Sequence, residues 1–192
     1  FHMSEGGLRV PLIISGPGVK KGKNHNFAFV TDIAATISDM VFEEVDQRII
    51  GKSLKNSLAG ANENNYKDSE AIGLEVTGNS ALFKGNYKIV RNRPPHGSNE
   101  WELYNLYKDP GETQNLASKM PDKLFELLKD YDLYVEKNGV IELPQDYGWA
   151  EEMTINTFKR NFLPLLWRAI FLIIFIASMV IIFIRRRKSY KN

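Results

Sequence analysis

The chain has 192 residues, with 25 Lys+Arg against 23 Asp+Glu, so a net charge of +2 gives no basic excess of the kind that marks a nucleic-acid binder. The absence of Cys excludes disulfides, Cys-ligated zinc, iron–sulfur clusters and a thiol nucleophile within this chain, while 43% hydrophobic residues, with 11 Phe and 8 Tyr, suffice for a core. The charge is split: residues 1–158 hold all 23 acids and 17 bases, a net −6, whereas residues 159–192 hold eight bases and no acid, a net +8.

The opening, FHMSEGG, has neither a basic start nor an apolar signal core, and it does not begin with Met. Three readings stand: an internal cut, a start at Met3, or a cloning scar at His2-Met3. Val10 to Ser15 (VPLIIS) is a short apolar run closed by Gly16-Pro17-Gly18, which predicts a buried strand. Residues 16–26 are a polar loop, with His25 solvated among lysines. Thr31 or Asp32 caps a predicted short helix that places Ile33, Ile37, Met40 and Val41 on one face. Residues 43–70 read mainly as loop. Ile72–Val76, Ala81–Phe83, Tyr87–Arg91 and Trp101–Leu106 are predicted strands, with a hairpin turn at Gly85-Asn86. Arg93-Pro94-Pro95-His96-Gly97 breaks the chain, and Asp109-Pro110-Gly111 turns it. From Leu116 to about Asn138 the pattern is helical. Asp122 is the cap candidate, Leu124, Leu127, Leu128, Tyr131 and Val135 form the core stripe, and Gly139 is the stop. Residues 139–161 read as a linker.

Phe162 to Ile184 is a run of 23 residues interrupted only by Arg168 and Ser178, and a bilayer core needs about 20 helical residues. Asn161 is a cap candidate, Pro164 falls in the first turn, and Trp167 suits the interfacial belt. Arg168 lies near enough to the end to reach headgroups. A buried core helix is the competing reading, and all-round hydrophobicity followed by Arg185, Arg186, Arg187 and Lys188 counts against it. Five bases after the run, with Lys191, against three at its other end put the tail 185–192 in the cytoplasm and residues 1–160 outside by the positive-inside rule.

The three His (2, 25 and 96) have no ligand spacing, and no phosphate-binding loop or GxSxG nucleophile elbow occurs. From the residues alone the reading stops at an α+β extracytoplasmic domain with a C-terminal anchor.

Four segments carry more. Glu5-Gly6-Gly7-Leu8-Arg9-Val10-Pro11, with Gly16-Pro17-Gly18 behind it, resembles the EGGxRVP…PG signature of type I sulfatases, members of the alkaline phosphatase superfamily. Val30-Thr31-Asp32-Ile33-Ala34-Ala35-Thr36 is similar to the family's DxxPT segment, with Ala35 where Pro is common. Ile50-Gly51-Lys52-Ser53-Leu54, then Gly60, is similar to DGxSLxPxLxG. Glu102-Leu103-Tyr104-Asn105-Leu106, Asp109-Pro110-Gly111-Glu112-Thr113 and Asn115-Leu116-Ala117 resemble ELYDLxxDPGETxNLA. The first and last matches are specific, the middle two weak alone, and together they cover about residues 4–120.

The resemblance implies an α/β, alkaline phosphatase-like fragment. Residues 1–70 would be the end of the large mixed-sheet domain. Residues 71–138 would be the small C-terminal subdomain, a four-stranded antiparallel sheet packed on a helix. A linker (139–161), a transmembrane helix (162–184) and a basic tail (185–192) would follow. Glu5, Gly6, Gly7, Arg9 and Pro11 are expected to be structural, with Glu5 and Arg9 in supporting ion pairs or backbone hydrogen bonds. Thr113 or Asn115 is expected to cap the helix. The family's mechanism uses a formylglycine made from Cys or Ser in a C/S-x-P-x-R context and a divalent cation, usually calcium, on oxygen ligands. Neither is assignable here, since the chain has no Cys and no Ser-x-Pro-x-Arg. The metal segment and the sulfate-binding Lys are expected upstream of Phe1, so this chain alone is expected to be inactive. Arg91, Arg93 and His96 are rim candidates for an anionic substrate, against the plainer reading of an exposed basic loop. The expected partners are a sulfated small molecule or glycan and the lipid bilayer. A phosphate or phosphonate ester hydrolase of the same superfamily and a non-catalytic anchored module remain as alternatives.

Overall fold

The computed structural model describes residues 2–61, 64–144 and 147–189, without the side chains of 149–150 and 185–189. It divides into two compact units, Phe1–Glu142 and Leu143 onward. In chain order the first unit holds α1 (Glu5–Leu8), α2 (Thr31–Phe42), α3 (Lys55–Leu58), β1 (Ala71–Val76), β2 (Asn79–Lys84), β3 (Tyr87–Arg91), β4 (Glu102–Asn105) and α4 (Pro121–Asn138). The second holds α5 (Trp149–Asn161) and α6 (Leu163–Ser189).

The four strands form one antiparallel sheet in sequence order, as the family resemblance implies. β-branched and aromatic residues alternate along it, and period two sends them to opposite faces. Ala81, Phe83, Val90 and Tyr104 face one way, where Met3 completes a cluster with Leu8 packed against it. Leu82, Ile89 and Leu103 face the other way, onto Leu127 and Tyr131 of α4. The sheet is therefore covered on both faces, by α4 and by the N-terminal segment. Met3, read in the sequence as a start or a scar, is 1% exposed.

Local chemistry accounts for the turns and for α4. Thr77 and Gly78, both at positive φ, join β1 to β2, and Gly85 at φ +55 opens the two-residue turn into β3. Pro121 sits in the first turn of α4, where its missing N–H costs nothing. Gly139 ends the helix in the left-handed conformation, its N–H donated to the Val135 carbonyl. The cap differs from expectation: Met120 holds that position, and Asp122 is the second residue of the helix. At Gly73 the Tyr134 ring packs flat on β1, and a Cβ there would lie 2.5 Å from it.

Three sequence expectations are corrected. Val10–Ser15 is irregular rather than a buried strand, with Ile13 89% exposed. A strand needs a neighbour for its N–H and C=O groups, and the four strands of this sheet pair only with one another. The cap position of α2 is held by Val30 rather than by Thr31 or Asp32, which lie inside the helix; Ile33, Ile37, Met40 and Val41 share one face as expected, and that face is exposed, while Asp32, Ala35 and Thr36 are buried. The stretch read as a linker holds α5, and Asn161 lies inside this helical run instead of capping α6. The bonds Phe162 N–H to Phe158 O (2.8 Å) and Leu166 N–H to Phe162 O (3.0 Å) carry the helix through the junction. Glu151 and Glu152 at the start of α5 complement the helix dipole.

Residues Glu151–Ile184 form one helix long and apolar enough to cross a membrane. Arg168 lies in α6, with Trp167 beside it and packed near Phe171. Ser178 satisfies its hydroxyl on the Phe175 carbonyl at 2.7 Å. Arg185, Arg186, Arg187 and Lys188 lie in the last turns of α6, whereas Lys191 lies outside the described residues.

The exposed stripe of α2 makes a prediction. Residues 1–142 produced alone self-associate, and Ile37→Lys with Val41→Lys shifts them toward monomer in sedimentation velocity. Because both side chains face solvent, unfolding free energy changes by no more than about 0.5 kcal/mol per site.

Candidate functional site

Lys88, the second residue of β3, is 0% exposed. The register places it between Phe83 of β2 and Tyr104 of β4. Its ammonium lies 2.9 Å from Glu5 Oε1 and 2.7 Å from Glu112 Oε1, with the Phe83 ring 5.0 Å away. Glu112 Oε2 also accepts the Glu5 N–H at 2.7 Å. One carboxylate thus holds both the lysine and the backbone of α1. Glu112 has φ +54, an uncommon conformation for a side chain with a Cβ, and its two-point hold on Lys88 and Glu5 fixes it there. The two specific sequence matches, EGG and DPGET, therefore meet on one buried cation. Glu5 is ion-paired to Lys88. Arg9 is exposed and makes no ion pair among the described residues, and Gly6, Gly7 and Pro11 are exposed too.

A second polar centre joins the two weaker matches. Asp32 is fully buried. Oδ2 accepts the Phe29 N–H at 2.7 Å, and Oδ1 accepts the Lys52 N–H at 2.8 Å and the Tyr66 hydroxyl at 2.5 Å. Thr36 Oγ1 accepts the Leu54 N–H at 2.9 Å, and the Asp39 carboxylate takes Ser53 Oγ at 2.6 Å and Lys55 Nζ at 3.0 Å. The Ser53 hydrogen bond, then Lys55, pull the Asp39 carboxyl below its ordinary value. Gly51 is needed for this contact, because a Cβ would strike the Thr31 carbonyl. Lys52 Nζ bonds both Glu70 oxygens, at 2.5 and 2.6 Å, and lies 4.7 Å from the Tyr66 ring centre. Burial, then the Asp32 bond, raise the Tyr66 phenol above its usual range.

On the α4 side of the sheet, Tyr131 donates to Glu75 Oε1, and Ser80 Oγ bonds Glu75 Oε2 at 3.0 Å. Burial raises the Glu75 carboxyl, against the lowering effect of these two hydroxyls. The rim candidates divide here. Arg91 pairs with Glu142 at 3.1 Å and lies 5.0 Å over Trp101. Arg93 is buried, its N–H donated to Asn79 Oδ1 at 2.7 Å, while His96 is exposed beyond the Pro94-Pro95 cis peptide. Asn115 does not cap α4: its Oδ1 takes the N–H groups of Leu103 (3.1 Å) and Ala117 (2.9 Å), tying β4 to the DPGET turn. Thr113 instead bonds Asp109.

Chemically these centres hold the chain in place. Their carboxylates are taken up by fixed cations and N–H groups. His2 Nδ1 lies 2.9 Å from Ser4 Oγ, an exposed contact two residues apart. Among the described residues no three His, Asp or Glu side chains converge as a metal site.

An antiparallel four-stranded sheet packed on one long helix, clamped to an EGG segment through the turn that follows it, defines the C-terminal portion of a sulfatase. Residues 1–133 match the family model of N-sulphoglucosamine sulphohydrolase, C-terminal, and the chain belongs to that family. An uncharacterized sulfatase of Schizosaccharomyces pombe is 34% identical over 166 residues, covering 76% of this chain and 28% of that protein. Human arylsulfatase K is 29% identical over 137 residues, covering 66% of this chain and 26% of that protein. The crystal structure of a sulfatase candidate from Bacteroides thetaiotaomicron superposes with a TM-score of 0.50 at 27% identity, over 64% of this chain and 28% of that one. The chain thus spans about a quarter of the length of the curated relatives it matches.

Two predictions follow from the buried charges. Lys88→Met leaves two carboxylates without their cation and lowers unfolding free energy by about 3–5 kcal/mol. The triple variant with Glu5→Gln and Glu112→Gln recovers most of that loss in urea denaturation. For Glu75 the raised folded-state value means that the native state binds the proton more tightly than the unfolded chain. Stability from this group is therefore lost as pH rises above its ordinary value of 4.5. Glu75→Gln keeps an acceptor for Tyr131, so its melting temperature gains on the wild type through that rise; a constant difference across pH 4–7 contradicts the assignment.

Proposed function

We propose that this chain is the C-terminal part of a membrane-anchored sulfatase that hydrolyses sulfate esters of a sulfated small molecule or glycan outside the cytoplasm. The observation that carries this reading is the convergence of the EGG and DPGET segments on Lys88, inside a stretch matching a sulfatase family model. The family's name, N-sulphoglucosamine sulphohydrolase, supports a sulfated sugar as the substrate class. In this proposal the formylglycine nucleophile and the calcium ligands belong to residues outside this chain. The described residues do not fit a calcium site, and no Cys is available for the modification. The role of residues 1–142 is to close and brace the domain that carries the chemistry, and the chain by itself releases no sulfate.

The apolar helix supports a single-pass anchor, and the five bases at its far end support a cytoplasmic tail. Anchoring places the reaction at a surface, so substrate arrives from the outer medium.

The test uses the longest polypeptide encoded with this chain, expressed in a host able to make formylglycine. Release of inorganic sulfate from sulfated oligosaccharides is expected, with none from residues 1–192 alone. Turnover of matched phosphate esters without sulfate release contradicts the sulfatase reading. In sealed vesicles, protease added outside a cell-like orientation is expected to digest residues 1–142 and spare the basic tail. Full protection of residues 1–142 contradicts the topology.

A further inference from the structure

Between Glu5 and Asp32 the sequence has no acid and four bases, Arg9, Lys20, Lys21 and Lys23, while residues 27–142 hold 13 bases and 19 acids, a net −6. Positive charge is thus gathered on one segment of an otherwise acidic unit. Lys20, Lys21 and Lys23 are all exposed, and none makes an ion pair among the described residues. His25 is exposed on the same loop.

The loop is also held in shape. Val19 N–H bonds the Gly16 carbonyl at 3.3 Å, and Lys20 N–H bonds the Leu58 carbonyl at the end of α3 at 2.8 Å. The Lys20 stem runs across Gly60, where a Cβ would lie 2.7 Å from its Cδ. At the far end Phe27 is inserted between Tyr66 and Phe83, with ring centres 5.4 and 5.3 Å away. Like charges near one another in sequence repel, and among the described residues no ion pair neutralises these three. Three ammonium groups within four residues of a loop tied down at Lys20 and Phe27 offer more than one anionic group a place.

We propose that Lys20, Lys21 and Lys23 form a docking surface for a sulfated glycan chain. It binds the polyanion through several sulfate or carboxylate groups at once. This deepens the sulfatase reading and rests on it for the choice of a sulfated glycan over other polyanions. Three paired ammonium groups would release three counterions, so affinity should fall steeply with salt.

The experiment uses the full chain in non-ionic detergent, titrated with fluorescently labelled heparin oligosaccharide, neutral dextran and phosphatidylserine vesicles at several NaCl concentrations. Binding to heparin and none to dextran is expected. Lys20→Gln/Lys21→Gln/Lys23→Gln is expected to weaken heparin binding about tenfold or more at low salt and to reduce the log–log salt slope by about two to three. Lys→Arg at the same three positions keeps it. Lys108→Gln/Lys119→Gln/Lys137→Gln, which removes the same charge from other exposed sites, leaves binding within about twofold. An equal loss in that control, or no loss in the loop variant, overturns the proposal. Loop-dependent binding to the vesicles but not to heparin also overturns it, by making the surface a membrane contact. The readout needs no turnover, so its failure leaves the sulfatase reading standing, and absence of sulfate release from the longer protein leaves the binding result standing.

Discussion

A single ammonium group, that of Lys88, decides how the first unit is assembled. Removing it from water costs several kcal/mol, and only well-placed partners offset that cost. The partners come from far along the chain: Glu5 is 83 residues away, and Glu112 arrives from the turn after β4. Neither carboxylate can stay buried without the lysine, and the lysine cannot stay buried without them. The N-terminal segment is therefore fixed on one face of the sheet in one register, and Met3 and Leu8 follow it into the cluster there. Burial of apolar area alone would tolerate sliding; a buried charge with two fixed counter-charges does not.

The same constraint extends outward. Lys88 lies against Phe83, Phe83 against Phe27, Phe27 against Tyr66, and the Tyr66 hydroxyl bonds Asp32. Asp32 in turn holds the Lys52 backbone, and the Lys52 side chain is held by Glu70 just before β1. All four segments that carry the family resemblance thus belong to one connected framework. Their residue types fit that role. A carboxylate accepting N–H groups, a glycine under a carbonyl and a threonine oxygen facing a backbone N–H are devices for holding loops without regular structure. The framework explains why these residues read as a signature.

Local periodicity made the sheet and α4 legible in the sequence. Strands over 72–76, 81–83 and 87–91 and the helix stripe Leu124, Leu127, Leu128, Tyr131, Val135 fall where side chains alternate or recur every three to four residues, and turn residues mark their ends. The Lys88 centre was not legible. A lysine between Tyr87 and Ile89 reads as the polar position of a half-exposed strand, and nothing local says that both faces are covered. The signal lay in the motifs: Glu5 and Glu112 each stand inside a specific match, and a pair of acids from two such matches needs a shared cation. Asp32 reads in the sequence as a cap candidate, but it lies inside α2 behind Val30, and its bonds to Lys52 and Tyr66 depend on contacts 20 and 34 residues away.

The contrast between α2 and α4 shows what periodicity leaves open. Both helices carry apolar residues at helical spacing. In α4 the stripe meets Leu82, Ile89 and Leu103 and is buried. In α2 the stripe faces outward, while Asp32 and Thr36 point inward and are satisfied by Lys52 and Leu54. Spacing fixes which side chains share a face; which face turns inward is settled by the partners within reach. For α2 the partners include the backbone N–H groups of Lys52 and Leu54, the Tyr66 hydroxyl and the Ser53 hydroxyl, and these demand acceptors rather than methyl groups. The polar face therefore wins the interior. The apolar face keeps the composition of a buried surface, as does the neighbouring motif segment 10–13, where Val10, Leu12 and Ile13 are exposed beside an EGG turn already locked in place.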